Sequence, residues 1–371
     1  MKYLYFITFI GLDLHQHAYS TFVIHAGMRP KEGGFVLGLT PLPQGISPFL
    51  KSQSKSLDVQ GELRKLAQGA MDAALQSTSL RQEQSKPLLL EIEFPPLLGG
   101  SKSKTQFDDF DNIQELDANR DWSIEFAASF LNKRDSSLYK DGKTWILFAD
   151  TKECEIAKKE WPGQKYRQAT FTTIEAATEY TTNREYDSPW GASLSKALNR
   201  FIQSGQDSSS KSDILGDSTS LDILKGYPSL CVVIQPGNGG PVEDWINCEK
   251  IATSELFQDN GRLNMVIVNG ALDKVRDGFY PSLFFPKLAA TVDRFYKKFE
   301  SILYLRPCSD KGVYGWIFRV FPEPWQVVLQ SKEYRANGDL IIVDTVVYTS
   351  EKRPSYTEAV SALLSGSSNG I

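Results

Sequence analysis

Histidine is almost missing from this chain. Of 371 residues only three are histidines, His15, His17 and His25, and none follows Gly27. A Ser-His-Asp or Cys-His hydrolase and a His-ligated metal enzyme therefore lack their usual parts in the body of the chain. Chemistry there would fall to carboxylates, Lys, Tyr, Cys, Arg or backbone groups. Cysteine is scarce too. Cys154, Cys231, Cys248 and Cys308 lie far apart and form no CxxC. That argues against a structural zinc site or a thioredoxin-like pair, and the four read as reduced thiols, several of them in the core. No Asn-x-Ser/Thr acceptor occurs, which weighs against a secretory history. The formal net charge of −4 gives no global basic footprint, so nucleic acid is not an expected partner.

What is present is globular: 41% hydrophobic and 23% charged residues, in a length that suits one large domain or two ordinary ones. The N-terminal run "KYLYFITFIGLDL" is too short to span a bilayer. From Leu14 to Leu57 the only acid is Glu32, among Arg29, Lys31, Lys51, Lys55 and the histidines. Residues 1–57 therefore read as a leader, either an organelle transit peptide or a disordered segment.

From Asp58 the periods alternate. Leu63, Leu66, Ala67, Ala70, Met71, Ala74 and Leu75 recur at helical spacing. "PLLLEIEF" reads as a strand, "DWSIEFAASFLNKR" as a helix capped by Asp121, "TWILFAD" as a buried strand, and "KECEIAKKEW" as the helix after it. "YRQATFTTI" and "SLCVVIQ" are further strands, and a helix is expected from Ser188-Pro189 to Phe201. Residues 203–222, rich in Ser and Asp, read as a surface insertion. "LNMVIVNG" is a strand, and a long helix is expected from Phe285 to about Ser301. Then come "ILYLRP", a Pro-Glu-Pro-Trp corner inside "GWIFRVFPEPWQVVLQS", "DLIIVDTVVY" and a last helix over Tyr356 to Leu364. The expectation is one α/β domain over 58–366, a mainly parallel sheet with helices on both faces and antiparallel strands added at the C-terminal end.

Several motifs carry candidate chemistry. "DGKT" at 141–144 fails as a phosphate loop, because a helix precedes it and a strand follows. "QPGNGGPVEDW" places Gly237, Asn238, Gly239 and Gly240 between a strand and a helix, where α/β sheets hold ligands. These four are the ligand-binding candidates, although Glu243 and Asp244 in the first helical turn would repel an anion. Pro241 makes a tight structural turn the plainer reading. "EIEF" sets Glu91 and Glu93 on one side of a strand, suited to a cation or to divided acid–base roles; the plainer reading is a strand end reaching solvent. Asp150 reads as a helix cap. Lys287, Arg294 and Lys298 are expected to share a face of the long helix, and with Phe321 and Trp325 at the corner they form the partner-docking candidates. For Phe321 and Trp325 the default is core packing with the prolines fixing the bend.

"YGWIFRVFPEPWQVVLQ", preceded by "FFPKLAATVDRFYKKFESILYLRP", resembles a family of plant, algal and cyanobacterial proteins defined by a domain of unknown function. "LLLEIEFPPL", "WILFAD" and "PGNGGPVEDW" follow in that family's order, so the resemblance covers roughly residues 60 to 365. The family includes a chloroplast factor, the low photosystem II accumulation protein three, and the C-terminal domain of a chloroplast adenylate kinase. The resemblance implies a chloroplast stromal location and a non-enzymatic role in assembly or accumulation of a thylakoid complex, photosystem II foremost. The partners would be photosystem subunits or other assembly factors, with peripheral thylakoid contact. It transfers no catalytic residue. The α/β sheet with its glycine loop keeps a second expectation open, a nucleotide- or metabolite-binding enzyme of the stroma.

Overall fold

The computed structural model describes residues 39–43, 46, 59–77, 88–95, 112–131, 143–161, 169–185, 228–237, 242–254, 263–334 and 340–368. Strands β1 (Leu88–Glu93), β2 (Lys143–Phe148), β3 (Ala169–Thr173), β4 (Pro228–Ile234), β5 (Asn264–Val268), β6 (Glu300–Asp310), β7 (Val313–Val320), β8 (Trp325–Tyr334) and β9 (Leu340–Ser350) form one sheet in the order β3-β2-β4-β5-β1-β6-β7-β8-β9. The pairs from β3 to β6 are parallel, and the pairs from β6 to β9 antiparallel. The expected fold class is the observed one.

Helices cover both faces, as parallel strands require. On one face lie α1 (Val59–Gln76), α2 (Asn112–Leu131) and α3 (Thr151–Glu160). They pack Leu63, Met71, Trp122 and Phe126 on Leu90, Ile92 and Val266. On the other lie α4 (Ile174–Glu185), α5 (Glu243–Thr253), the single turn α6 (Leu272–Arg276) and α7 (Pro286–Arg294). Their core joins Trp145, Trp245 and Tyr296 to Val233 and Ile267. The last helix, α8 (Tyr356–Ser368), closes a third cluster over Tyr304, Ile317 and Trp325.

Three expectations change. Asp121 is not a cap, because α2 already starts at Asn112. Arg120 is almost buried there and ties Asp117, Asp121, Glu153 and Glu160 together, so the acidic stretch can run on as helix. The long helix from Phe285 to Ser301 stops at Arg294, and the chain tightens into a 3-10 turn over Tyr296–Lys298. Phe295 leaves the helical conformation at φ −124°, and Phe295, Tyr296 and Phe299 are all buried through the turn. Helix α4, not anticipated, buries Ile174 and Ala177. The cap at Asp150 is as read: its carboxylate accepts the Lys152 and Glu153 N–H groups at 2.6 and 3.2 Å.

Part of the span assigned to a leader is built into the domain. Leu42 and Ile46 are 5% and 3% exposed. The corner holds this segment: Glu323 accepts the Thr40 N–H at 2.7 Å and its hydroxyl at 2.6 Å, while Gln330 donates to the Ile46 carbonyl at 2.8 Å. Glu323 of the Pro-Glu-Pro corner and Gln330 of β8 thus clasp Thr40 and Ile46. The helix expected over 189–201 and the insertion at 203–222 lie outside the described residues.

Candidate functional site

The carboxyl ends of β4, β5 and β1 lie side by side, where an open α/β sheet offers its ligand crevice. A cleft of about 290 Å³ opens there, with β6 as its far wall. Its rim carries unusual backbone. Gln235, Asn269 and Ala271 sit at φ 44, 48 and 49°, in the left-handed region. Such conformations cost residues with a β-carbon roughly 1 kcal/mol or more each and gather at ligand sites. Asn269 is pinned from several sides: its N–H donates to Ile92 O at 2.8 Å, its Oδ1 accepts the Phe94 N–H at 2.9 Å, and its amide donates to Asn119 at 2.7 Å.

Gly237 lines this cleft, but its glycine serves packing. At φ 73° an added β-carbon would lie 2.4 Å from the Trp245 ring. Its N–H donates to Asp244 Oδ2 at 3.1 Å, so the protein's own carboxylate holds the place an anion would want. Asn238, Gly239 and Gly240 lie outside the described residues.

The charge in the cleft comes instead from Glu93 and Asp273, with Lys274 and Arg306 beside them. The solvent-facing reading of "EIEF" is overturned. Glu91 is fully buried and accepts Arg276 Nη1 and the Ser301 hydroxyl, both at 2.8 Å. Glu93 is half-buried as a residue, yet its Oε2 is shut off from water with no hydrogen-bond partner among the described residues. Burial, then the negative charges of Glu91 and Asp273, push its carboxyl up to about 8, against the pull of the Ala271 N–H and Arg353. A carboxyl of this kind is protonated at neutral pH and can donate a hydrogen bond.

Asp273 is the hub. Its Oδ2 accepts the Tyr304 hydroxyl at 2.6 Å and Arg306 Nη1 at 2.8 Å, and Arg353 pairs with its Oδ1. Burial pushes this carboxyl up, but the Arg353 and Arg306 guanidiniums and the Tyr304 hydroxyl outweigh it and hold it below the usual carboxylate range. Arg353 lies over the Tyr304 ring, 4.3 Å from its centroid, and also donates to its hydroxyl at 2.6 Å.

The docking candidates are dispersed. Trp325 is 3% exposed, between the Tyr304 ring and the guanidiniums of Arg319 and Arg353, so its place is in the core. Phe321 is half-buried under Arg319. Arg294 is committed to Glu249 at 2.7 Å, and Lys298 lies past the helix end, so no shared basic face exists; Lys287 remains exposed. A surface that was not singled out replaces them. In the loop between α6 and α7, Phe279, Leu283 and Phe284 are 68%, 83% and 73% exposed. The loop is braced, with Phe284 N–H and Phe285 N–H both on Pro281 O at 3.0 Å. Tyr280 is tucked inward against Trp245 and Phe285. The run "GFYPSLFFP", apolar without strand alternation, was the signal for it.

All four cysteines are free and buried. Burial pushes every thiol up, Cys308 to about 12, so none is a ready nucleophile. Among the described residues no His, Cys, Asp and Glu side chains group as a metal site, and no helix is long and apolar enough to cross a membrane. No curated protein and no solved structure matches the chain. One family model does, over residues 61–361, from β1 and its preceding helix through the corner to α8. The sheet and the cleft fall inside that match, and the chain belongs to the family described as a domain of unknown function, DUF1995.

Proposed function

We propose that this chain is a non-enzymatic chloroplast protein that assists accumulation of a thylakoid complex, photosystem II foremost, by docking a protein partner. The observation that carries the reading is the braced loop with Phe279, Leu283 and Phe284 turned to solvent. A cluster of large apolar side chains on one rigid loop marks an interaction surface, because isolated exposure is ordinary but clustering is not. The exposed Lys274 and Lys287 flank it and suit a partner or membrane rim of opposite charge. Membership of the family, which the sequence resemblance takes to include a photosystem II accumulation factor, supports the location and process.

The test is affinity purification of the tagged chain from plastids, with native gels and mass spectrometry. Wild type is expected to co-migrate with photosystem II subunits or assembly factors. Phe279→Ser/Leu283→Ser/Phe284→Ser is expected to lose capture at least tenfold with an unchanged melting temperature. Unchanged capture sinks the reading, and equal loss of binding to protein-free thylakoid lipid vesicles would assign the loop to the bilayer instead.

The cleft supports a second reading, a nucleotide- or metabolite-binding stromal enzyme, through a buried acid positioned to donate a proton beside Arg306. A thermal-shift panel with ATP, NADP and Mg²⁺ is its check. A rise in melting temperature that disappears in Glu93→Gln is the expected sign, and a flat panel removes the reading.

A further inference from the structure

We propose that a second cavity, between β6, β7 and the start of α8, binds a phosphorylated small molecule through Arg276, Arg306 and Arg353. The inference is independent of the docking loop. The cavity, open to solvent on one side, has a volume of about 580 Å³, and its lining includes those three arginines, Arg319 and Lys297. That volume suits a phosphate ester rather than a bare ion.

The arginines are fixed in place and incompletely used. Arg276 is clamped by Nε to Tyr296 O at 3.2 Å and by Nη1 to Glu91, yet its buried Nη2 has no hydrogen-bond partner among the described residues. Arg306 donates Nη1 to Asp273 and lies over the Tyr356 ring. Arg353 is stacked on Tyr304 and Trp325. Three guanidiniums thus share two carboxylates, Glu91 and Asp273, and leave fork-shaped donors over. Guanidinium forks match phosphoryl oxygens two at a time.

Two of the three acids that line the wall, Glu300 and Glu358, are engaged by partners of their own. Glu300 is neutralised by Arg319 at 2.7 Å. Glu358 is taken up by the Ser355 N–H and hydroxyl, both at 2.8 Å, in a capping box at the start of α8. Asp277 sits exposed at the rim. Ile317, Phe299 and Trp325 supply an apolar wall for the organic part of such a ligand.

The test uses the full chain and pyrophosphate as probe, by titration calorimetry at low salt. Saturable one-to-one binding is expected, weakened at least tenfold in Arg306→Gln and unchanged in Lys250→Gln, an exposed lysine on α5. No saturable heat, or equal weakening in both variants, overturns the proposal. Should Arg306→Gln fold poorly, hydrogen exchange on wild type decides. Protection by pyrophosphate at residues 353–358 supports the site, and protection elsewhere overturns it.

Discussion

Asp273→Ala is expected to destabilise the protein by about 3 kcal/mol at pH 7. Removing one partner of a buried ion pair typically costs about 3–5 kcal/mol, because the remaining charges stay in a poor solvent. Here two guanidiniums and the Tyr304 hydroxyl would be stranded at once. The figure sits at the low end because the side chains of Arg306 and Arg353 are 45% and 26% exposed, so water relieves part of the loss. The sign with pH follows from the depressed carboxyl. The folded state gives up this proton more readily than the unfolded chain, so the contribution is full above the unfolded value near 3.9 and is lost as pH falls through the folded one. Urea unfolding at pH 7 and at pH 3 should show wild type losing part of its advantage over Asp273→Ala in acid. Asp273→Asn should recover the Tyr304 hydrogen bond but not the charge, and fall between the two. A cost at pH 7 below about 1 kcal/mol would mean that solvent, not Asp273, balances these arginines.

The same variant reaches the cleft. Asp273 is one of two negative charges that hold the Glu93 carboxyl high. Its removal should bring Glu93 down toward an ordinary carboxylate, coupling the two sites in a double-mutant cycle with Glu93→Gln. The hub therefore links the cleft at the strand ends to the arginine-lined cavity, with Arg306 lining both.

How much of this was legible in the sequence differs by element. The strands were plain, because "PLLLEIEF", "WILFAD", "SLCVVIQ" and "LNMVIVNG" are short apolar runs that suit a doubly covered parallel sheet. The same principle should have buried the two glutamates. β1 is paired on both edges, by β5 and β6, and helices cover both faces of the sheet, while Glu91 and Glu93 share a side with Leu89. Reading the strand as central was enough to predict charged groups that need partners. The partners were not legible. Asp273, Arg276, Arg306 and Arg353 are spread over 81 positions of ordinary-looking sequence and meet only because β6 returns beside β1 and α8 packs back on β8. At Gly237, a ligand candidate whose plainer reading was a structural turn, the need for glycine comes from the Trp245 ring, which no local pattern shows. The corner, read by default as core packing that bends the chain, does bury Trp325, but it also holds its own chain at Thr40, a pairing 283 residues apart that no local pattern announces.

Glu93→Gln is expected to make the protein more stable at pH 8.5 and to flatten its stability between pH 5 and 8.5. The unfolded chain loses the Glu93 proton near 4.3, whereas the folded protein keeps it to about 8. Between those values the native state holds the extra proton, so wild-type stability falls as pH rises, by at most about 1.4 kcal/mol per unit. Water in the open cleft relieves part of the penalty, which leaves roughly 2–4 kcal/mol across the window. Glutamine has the shape of the protonated acid and cannot ionise, so the variant should lose that slope while matching wild type near pH 5. Asp121, Asp244 and Asp344 are also pushed up by burial, and their contributions are common to both proteins and cancel in the difference. Urea midpoints at four or five pH values are sufficient. Parallel curves for the two proteins would mean that Glu93 ionises freely in the folded state, and the cleft would then hold an ordinary carboxylate that repels anions rather than an acid able to give up a proton to one.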